Sequence, residues 1–319
     1  MTCISHCLFY VIPFVEQYSE YESYENRRWQ DLDEKKVNSW ANVWEQSVDQ
    51  WNQRPVVHEV GSMSPWTYQY LDQAADKIAE WAISLNQKYI GVYQDNSPVS
   101  LATILGLVKA GVVAVLFNTR ESPQKLSTLA NNSGVKIIIG NPISSIETYD
   151  PNLILERPWQ ARTLAKYRSH ITINDPGVII FTSGTSGHSK PALFSHRRLI
   201  GAGISWSLRT NISFKSKCYI TLPLYHGNGL AIAFASCVEV GACAVVRDRF
   251  SASAFLTDVR TYSCDSSVYI GELWRYLVNR PQKPDDSENP LRIIFGNGLT
   301  SSLWKTVVER FGIEHIVEH

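Results

Sequence analysis

Between Tyr89 and Ile139 the chain alternates apolar, β-branched runs with capped helical stripes, and few architectures accept that order. Tyr89 to Tyr93 reads as a strand. Ser97 is an N-cap candidate, with Pro98 at the first helical position. The helix it opens runs through Leu101, Ile104, Leu105 and Val108 and stops at Gly111, a C-cap glycine. Val112 to Phe117 is a second strand. Ser122 and Pro123 repeat the cap signal, a helix runs to about Asn132, Gly134 ends it, and Val135 to Ile139 is a third strand. Parallel strands need a long crossover and become buried on both faces, which is what such runs joined by helices provide. The expected fold class is therefore α/β, with layered, mostly parallel sheets and flanking helices.

The remaining chain fits the same scheme. Val37, Trp40, Val43, Trp44, Val48 and Trp51 form a helical stripe, and Pro65 to Leu85 carries a longer one. Residues 140–175 are punctuated by Pro142, Pro151 and Pro158, with Asn152 to Glu156 read as an edge strand, and a subdomain junction is expected there. Further on come a helix from Leu199 to Leu208, a strand from Tyr219 to Leu222 and an apolar helix from Leu230 to about Val240. A strand from Ala242 to Val246, a helix capped by Ser251, a strand from Ser267 to Ile270 and a helix from Glu272 to Asn279 follow. The last elements are a strand from Leu291 to Phe295, a helix from Thr300 to Phe311 closed by Gly312, and a strand from Ile313 to Val317. Ahead of all this, Glu16 to Glu34 is acidic and aromatic, either a poorly ordered extension or a short helix.

Charge and cysteine usage exclude some functions. Lys plus Arg and Asp plus Glu both number 30, so there is no concentrated basic character of the kind nucleic acid needs. The six cysteines form no C-x-x-C pair and read as buried thiols of a reducing compartment. No run reaches the about 18 apolar residues of a membrane span. Leu8 to Val15 lacks the basic flank and cleavage site of a signal peptide, and contact of this end with a membrane surface stays open.

The chemistry-bearing stretch is Val178 to His196. The run Val178–Phe181 reads as a buried strand and Ala192–Phe194 as another, so the polar residues between them form a hairpin loop. Gly184 and Gly187 permit positive φ and close approach by a ligand. Successive N–H groups in such a loop make an anion-binding concavity. Thr182, Ser183, Thr185 and Ser186 add hydroxyl donors and Lys190 a positive charge, a set suited to a polyphosphate. A Walker-type loop needs glycine before its lysine and Ser or Thr after it; here Ser189 precedes Lys190 and Pro191 follows. Two more loops follow strand ends, where open α/β sheets bind ligands: Pro223-Leu224-Tyr225-His226-Gly227-Asn228-Gly229 and Gly296-Asn297-Gly298-Leu299.

Thr182, Ser183, Gly184, Thr185, Ser186, Gly187 and Lys190 resemble, position by position, the phosphate loop Thr-Ser-Gly-Ser/Thr-Thr-Gly-x-Pro-Lys of the adenylate-forming (AMP-binding) superfamily. Ser186 replaces a threonine and Ser189 the usual proline. Leu222–His226 resembles that superfamily's Pro-x-x-His element, and Gly296–Leu299 its adenine loop. Tyr269-Ile270-Gly271-Glu272 with Leu273–Leu277, Phe250–Ser253, and Gly106–Gly111 with Asn118-Thr119 resemble the very-long-chain acyl-CoA synthetase and fatty acid transport protein family. The resemblance covers roughly residues 66–318.

It implies ATP-dependent activation of a fatty or other carboxylic acid, through an acyl-adenylate, to a CoA thioester. ATP, Mg2+ and CoA are the implied cofactors and co-substrates, with no metal ligand set visible in the sequence. The implied catalytic residues are Lys190 and His226, and the implied nucleotide contacts are Thr182–Gly187, Lys190, Gly296, Asn297 and Gly298. Tyr269 and Glu272 are implied near the acyl pocket. The implied location is intracellular, cytoplasmic or peripheral on an organelle membrane, with no protein partner indicated. Residues 1–36 are expected to be an extension and 37–319 an adenylation domain. The chain stops before the family's Tyr-Gly-x-Thr-Glu segment, ribose-binding aspartate, hinge and mobile C-terminal domain, so a truncated N-terminal portion with little or no activity of its own is expected. A non-enzymatic lipid-handling role and a ligase for a specialised acid remain as alternatives.

Overall fold

The computed structural model describes residues 13–158, 164–182 and 189–318. The chain divides into two compact units, 1–37 and 38–319. The first contains one α-helix, Pro13–Glu34, longer than the short helix the sequence suggested. Its last turns are laced by ion pairs of Asp31 with Arg28 at 2.7 Å and Lys35 at 2.8 Å. Side chains three and four residues apart meet on one helix face, which is why such a polar stretch holds helical shape.

The second unit holds the strands. In chain order they are β1 (Pro55–Glu59), β2 (Trp66–Thr67), β3 (Tyr89–Tyr93), β4 (Val113–Leu116), β5 (Ile137–Gly140), β6 (Glu147–Tyr149) and β7 (Pro176–Thr182). They continue with β8 (Lys190–Ser195), β9 (Lys217–Ile220), β10 (Cys243–Val246), β11 (Ser266–Ile270), β12 (Ile293–Asn297) and β13 (His315–Glu318). Among the described residues these build two sheets. One runs β6-β5-β3-β4-β7-β8 and is parallel except for the β7–β8 hairpin. The other runs β13-β12-β11-β9-β10-β1-β2 and is parallel except for β1–β2. The expected layered, mostly parallel α/β architecture is thus present.

Helices lie between the sheets. Pro98–Lys109 contacts β3 and β4 of one sheet and β1 of the other. Ser97 caps it, accepting from Ser100 N, with Pro98 at its start. Pro98 and Ser100 through Lys109 are all buried, as befits a helix walled in on every side. Its Gly106 lies against the Tyr68–Leu85 helix, where a Cβ would stand 2.5 Å from Ala75 O. The His196–Thr210 helix bridges in the same way, touching β7 and β8 on one side and β12 and β13 on the other. Outside the six-stranded sheet, Leu126, Leu129 and Ala130 of the Pro123–Asn132 helix pack with Val113, Val115, Phe117 and Ile138. Outside the seven-stranded sheet, Trp274 meets Phe255 and Phe311 edge-on at 5.8 and 5.3 Å. Cys218, Cys237, Cys243 and Cys264 are buried free thiols, and no helix among the described residues is long and apolar enough to cross a membrane.

Several elements differ from the sequence reading. Asn152–Glu156 is not an edge strand: Pro151–Leu155 is a short helix, because Asp150 accepts from Asn152 N and Pro151 fits the first turn. The edge is β6 instead. Ser251 does not open a helix directly; it accepts from Ala254 N in a turn, and the helix begins at Phe255. The apolar stretch after the His226 turn starts as π-helix, Asn228–Phe234, before Ala235–Val240 continues as α-helix. Gly296 and Asn297 belong to the end of β12, paired with Tyr269 and Ile270, so the loop proper begins at Gly298. The stretch 140–175, expected to hold a junction, is flanked by β5 and β7 of the same sheet.

Candidate functional site

The β7–β8 hairpin brings Thr182 and Lys190 opposite each other across the ladder. Thr182 Oγ1 donates to Lys190 O at 3.4 Å, and both residues are exposed at the mouth of the hairpin. Ser183, Gly184, Thr185, Ser186 and Gly187 lie outside the described residues. The hairpin base is anchored: Phe181 stacks on Phe117 at 5.3 Å, beyond the C-terminal end of β4.

The His226 turn leaves β9 at its carboxyl end. Pro223 supplies no N–H but its carbonyl accepts from His226 N at 3.0 Å, closing the turn. Leu230 N then donates to His226 O at 3.2 Å and starts the π-helix. Gly229 is obligatory by packing, since a Cβ there would stand 2.5 Å from Pro223 O and 2.8 Å from Leu222 O. The His226 ring lies 4.9 Å from that of Tyr225 and is open to solvent on one side. Even so, the protein around it desolvates the ring enough to lower its pKa from 6.5. The imidazole is therefore neutral at pH 7, with one ring N–H to donate. Tyr225 is pushed up by burial, opposed by a side-chain hydrogen bond with Thr119 that lies past the end of β4.

The Gly296–Gly298 segment sits at the end of β12. Gly296 has φ +156 and a Cβ there would fall 2.0 Å from Tyr269 O; Gly298 has φ +84. Both values are natural only to glycine. Gly271, at the end of β11, is pressed on Gly298, so the Tyr-Ile-Gly-Glu and Gly-Asn-Gly segments share a backbone contact. Asn228 Nδ2 donates to Asn297 Oδ1 at 2.9 Å, which joins the His226 turn to this segment. The structure thus brings together His226, Asn297, Gly298 and Tyr269 on neighbouring strand ends. Glu272 instead is exposed and makes its ion pair with Arg275 on its own helix.

Sequence reasoning missed Glu318, Asn96 and Asn228. Glu318 Oε2 accepts from Gly298 N at 3.2 Å and Oε1 from Leu299 N at 2.8 Å and from Tyr269 Oη at 2.5 Å. Burial and this hydrogen bond push the Tyr269 phenol up, so it stays a donor. One carboxylate therefore holds the glycine loop and Tyr269 together. Asn96 is buried behind the His226 turn and donates to Leu222 O at 2.9 Å. Asn228 lies within the His226 loop without having been given a role, and Asn96 and Glu318 stand outside the motifs, their signal only their position beside strand ends. Among the described residues no group of three His, Cys, Asp or Glu side chains could hold a metal ion.

The chain is similar to several known proteins. Rat long-chain fatty acid transport protein 2 is 33% identical over 282 residues, covering 79% of this chain and 45% of the relative. A medium/long-chain fatty acid–CoA ligase of Mycobacterium tuberculosis, FadD6, is 30% identical over 245 residues, covering 72% and 41%. The chain thus spans less than half the length of these relatives. Among solved structures, the N-terminal domain of FACL13 from Mycobacterium tuberculosis superimposes with a TM-score of 0.72 at 18% identity, covering 88% of this chain and 75% of that one. Residues 44–319 match the family described as AMP-binding enzyme, and the chain belongs to that family.

Proposed function

We propose that residues 37–319 are the adenylation domain of a fatty acid–CoA ligase, preceded by an extension, and that the three loops are its ATP and acid site. The observation that carries this is the joining of the His226 turn to the Gly-Asn-Gly segment through Asn228 and Asn297, on the strand ends of one parallel sheet. That is where open α/β sheets bind nucleotides. The names of the relatives, a fatty acid transport protein and a fatty acid–CoA ligase, support the acid class.

In the first step a carboxylate oxygen of the acid attacks the α-phosphorus of ATP. A new O–P bond forms, the P–O bond to the β-phosphate breaks, and pyrophosphate leaves with the electron pair. This step needs positioning and charge stabilisation more than proton transfer. Lys190, with the hydroxyls and N–H groups of 182–187, holds the β- and γ-phosphates. Neutral His226 donates its ring N–H between carboxylate and α-phosphate. Gly296, Asn297 and Gly298 lie along the adenine, and Tyr269 borders the acid. In the second step the sulfur of CoA attacks the acyl carbon, the C–O bond to AMP breaks, and the thiol proton passes to solvent. Mg2+ supplies charge neutralisation on the phosphates in such chemistry. Among the described residues no group of three His, Cys, Asp or Glu side chains could hold it.

Pyrophosphate release with ATP, across medium- to very-long-chain fatty acids and aromatic acids, tests the reading. Release stimulated by fatty acids, and slowed by Lys190→Ala more than acid binding is weakened, is the expected outcome. Fatty acid binding without pyrophosphate release would instead favour a lipid-handling chain, a reading that the relatives' name of transport protein supports. Release confined to aromatic acids would move the substrate to a specialised class.

A further inference from the structure

We propose that Asn96 is a positioning residue that fixes the His226 turn against the opposite sheet. The proposal deepens the reading above and rests on it for the role of His226. Asn96 follows β3, in the six-stranded sheet, and is 3% exposed. Its amide nitrogen donates to Leu222 O at 2.9 Å and to Arg247 O at 3.1 Å, and its Oδ1 accepts from Leu224 N at 2.8 Å. Leu222 follows β9 and Arg247 follows β10, both in the seven-stranded sheet. One side chain therefore ties three strand ends of two sheets.

The chemistry is particular to asparagine. Both amide hydrogens are used on carbonyls and the oxygen on an N–H, so donor and acceptor are needed together. Aspartate keeps the acceptor but turns a negative oxygen toward two carbonyl dipoles. Alanine leaves one buried carbonyl, one part-buried carbonyl and one buried N–H without their partner, and such groups are costly when unmade. The clamp also falls at the right place. Leu222 and Leu224 flank Pro223, whose carbonyl receives His226 N, and Gly229 closes on Leu222 O and Pro223 O from the other side. The turn is thus held in front and behind, and His226 projects two residues beyond the clamped Leu224. Reacting groups tolerate little displacement, since misplacement by an ångström costs about 100-fold in rate.

The test is amide hydrogen exchange and a proton NMR titration of the His226 ring in the 319-residue chain, wild type against Asn96→Ala and Asn96→Asp. In Asn96→Ala the amides of Leu224, His226 and Leu230 are expected to exchange about tenfold faster while those of β3, β4 and β5 do not change. The His226 ring is expected to titrate at higher pH, toward 6.5, as the loosened turn hydrates it. Asn96→Asp, which keeps the bond from Leu224 N, is expected to retain protection at Leu224 but show the same His226 movement. An unchanged His226 titration in both variants, or an equal rise in exchange throughout all strands, overturns the proposal. Should Asn96→Ala not fold, Asn96→Asp decides by its His226 titration alone. A failure of the ligase reading shows separately, as wild-type protein that releases no pyrophosphate with any acid, because exchange and titration do not depend on turnover.

Discussion

His196 is a buried imidazole held neutral by its surroundings. It is 2% exposed, Trp40 N donates to its Nδ1 at 3.3 Å, and Gly177 leaves room for the ring where a Cβ would come within 2.6 Å of Cε1. Burial, more than the Arg168 charge and against the pull of Asp175, lowers its pKa from 6.5 to about 4. The folded protein therefore binds fewer protons than the unfolded chain between those values. Its contribution to stability is complete above pH 6.5 and is lost as pH falls toward 4. The loss amounts to about 3 kcal/mol for this group. Denaturant unfolding at pH 7 and pH 4.5 is expected to show wild type losing most of that difference relative to His196→Asn, whose stability should be flatter with pH. A parallel fall in both proteins would remove His196 from the account. The motif order around this residue, Phe-Ser-His, says nothing of that burial. A histidine at a helix start reads as solvated until a second element is packed over it.

Between elements, the contact of the Tyr68–Leu85 and Pro98–Lys109 helices depends on Gly106. A Cβ there would stand 2.5 Å from Ala75 O and 2.6 Å from Ile78 Cβ, and backbone cannot yield as a side-chain tip can. Alanine gains about 0.5–1 kcal/mol of helix propensity over glycine, but overpacking costs about 1–3 kcal/mol. Gly106→Ala is expected to destabilise the protein by about 1–2 kcal/mol, read as a lower urea midpoint at unchanged slope. A midpoint equal to or above wild type would mean the helices part freely. These two helices were legible in the sequence because Ser97 and Pro98 mark a start and the apolar stripes leave little choice of face. The Pro151–Leu155 helix was not. Five residues with alternating leucine and isoleucine cannot reveal their period, and the stronger sign was Asp150-Pro151, a cap followed by a first-turn proline. The π-helix after His226 was hidden for another reason: its small apolar residues fit either helix, and the Gly229 contacts with Leu222 O and Pro223 O that accompany it are tertiary.

Across the whole molecule, strand ends of the two mostly parallel sheets meet, and among the described residues side chains fasten the segments that leave them. Asn96 ties β3 to the ends of β9 and β10, Asn228 ties the His226 turn to Asn297, and Glu318 ties Gly298 and Leu299 to Tyr269. The three loops were visible in the sequence as glycine-rich segments after strands. The fastening was not: Asn96 and Glu318 stand alone in the sequence, Asn228 stands in a loop without a visible partner, and each acquires meaning only when strands distant in the chain become neighbours. In the proposed function these loops form one adenylate site. Amide exchange of the 319-residue chain with and without a fatty acyl sulfamoyl-adenosine, a non-hydrolysable mimic of the acyl-adenylate, measures that most directly. Slowed exchange is expected together at 182–190, 224–230 and 297–299. Protection at only one of these loops, or at none of them while the compound binds elsewhere, would contradict it.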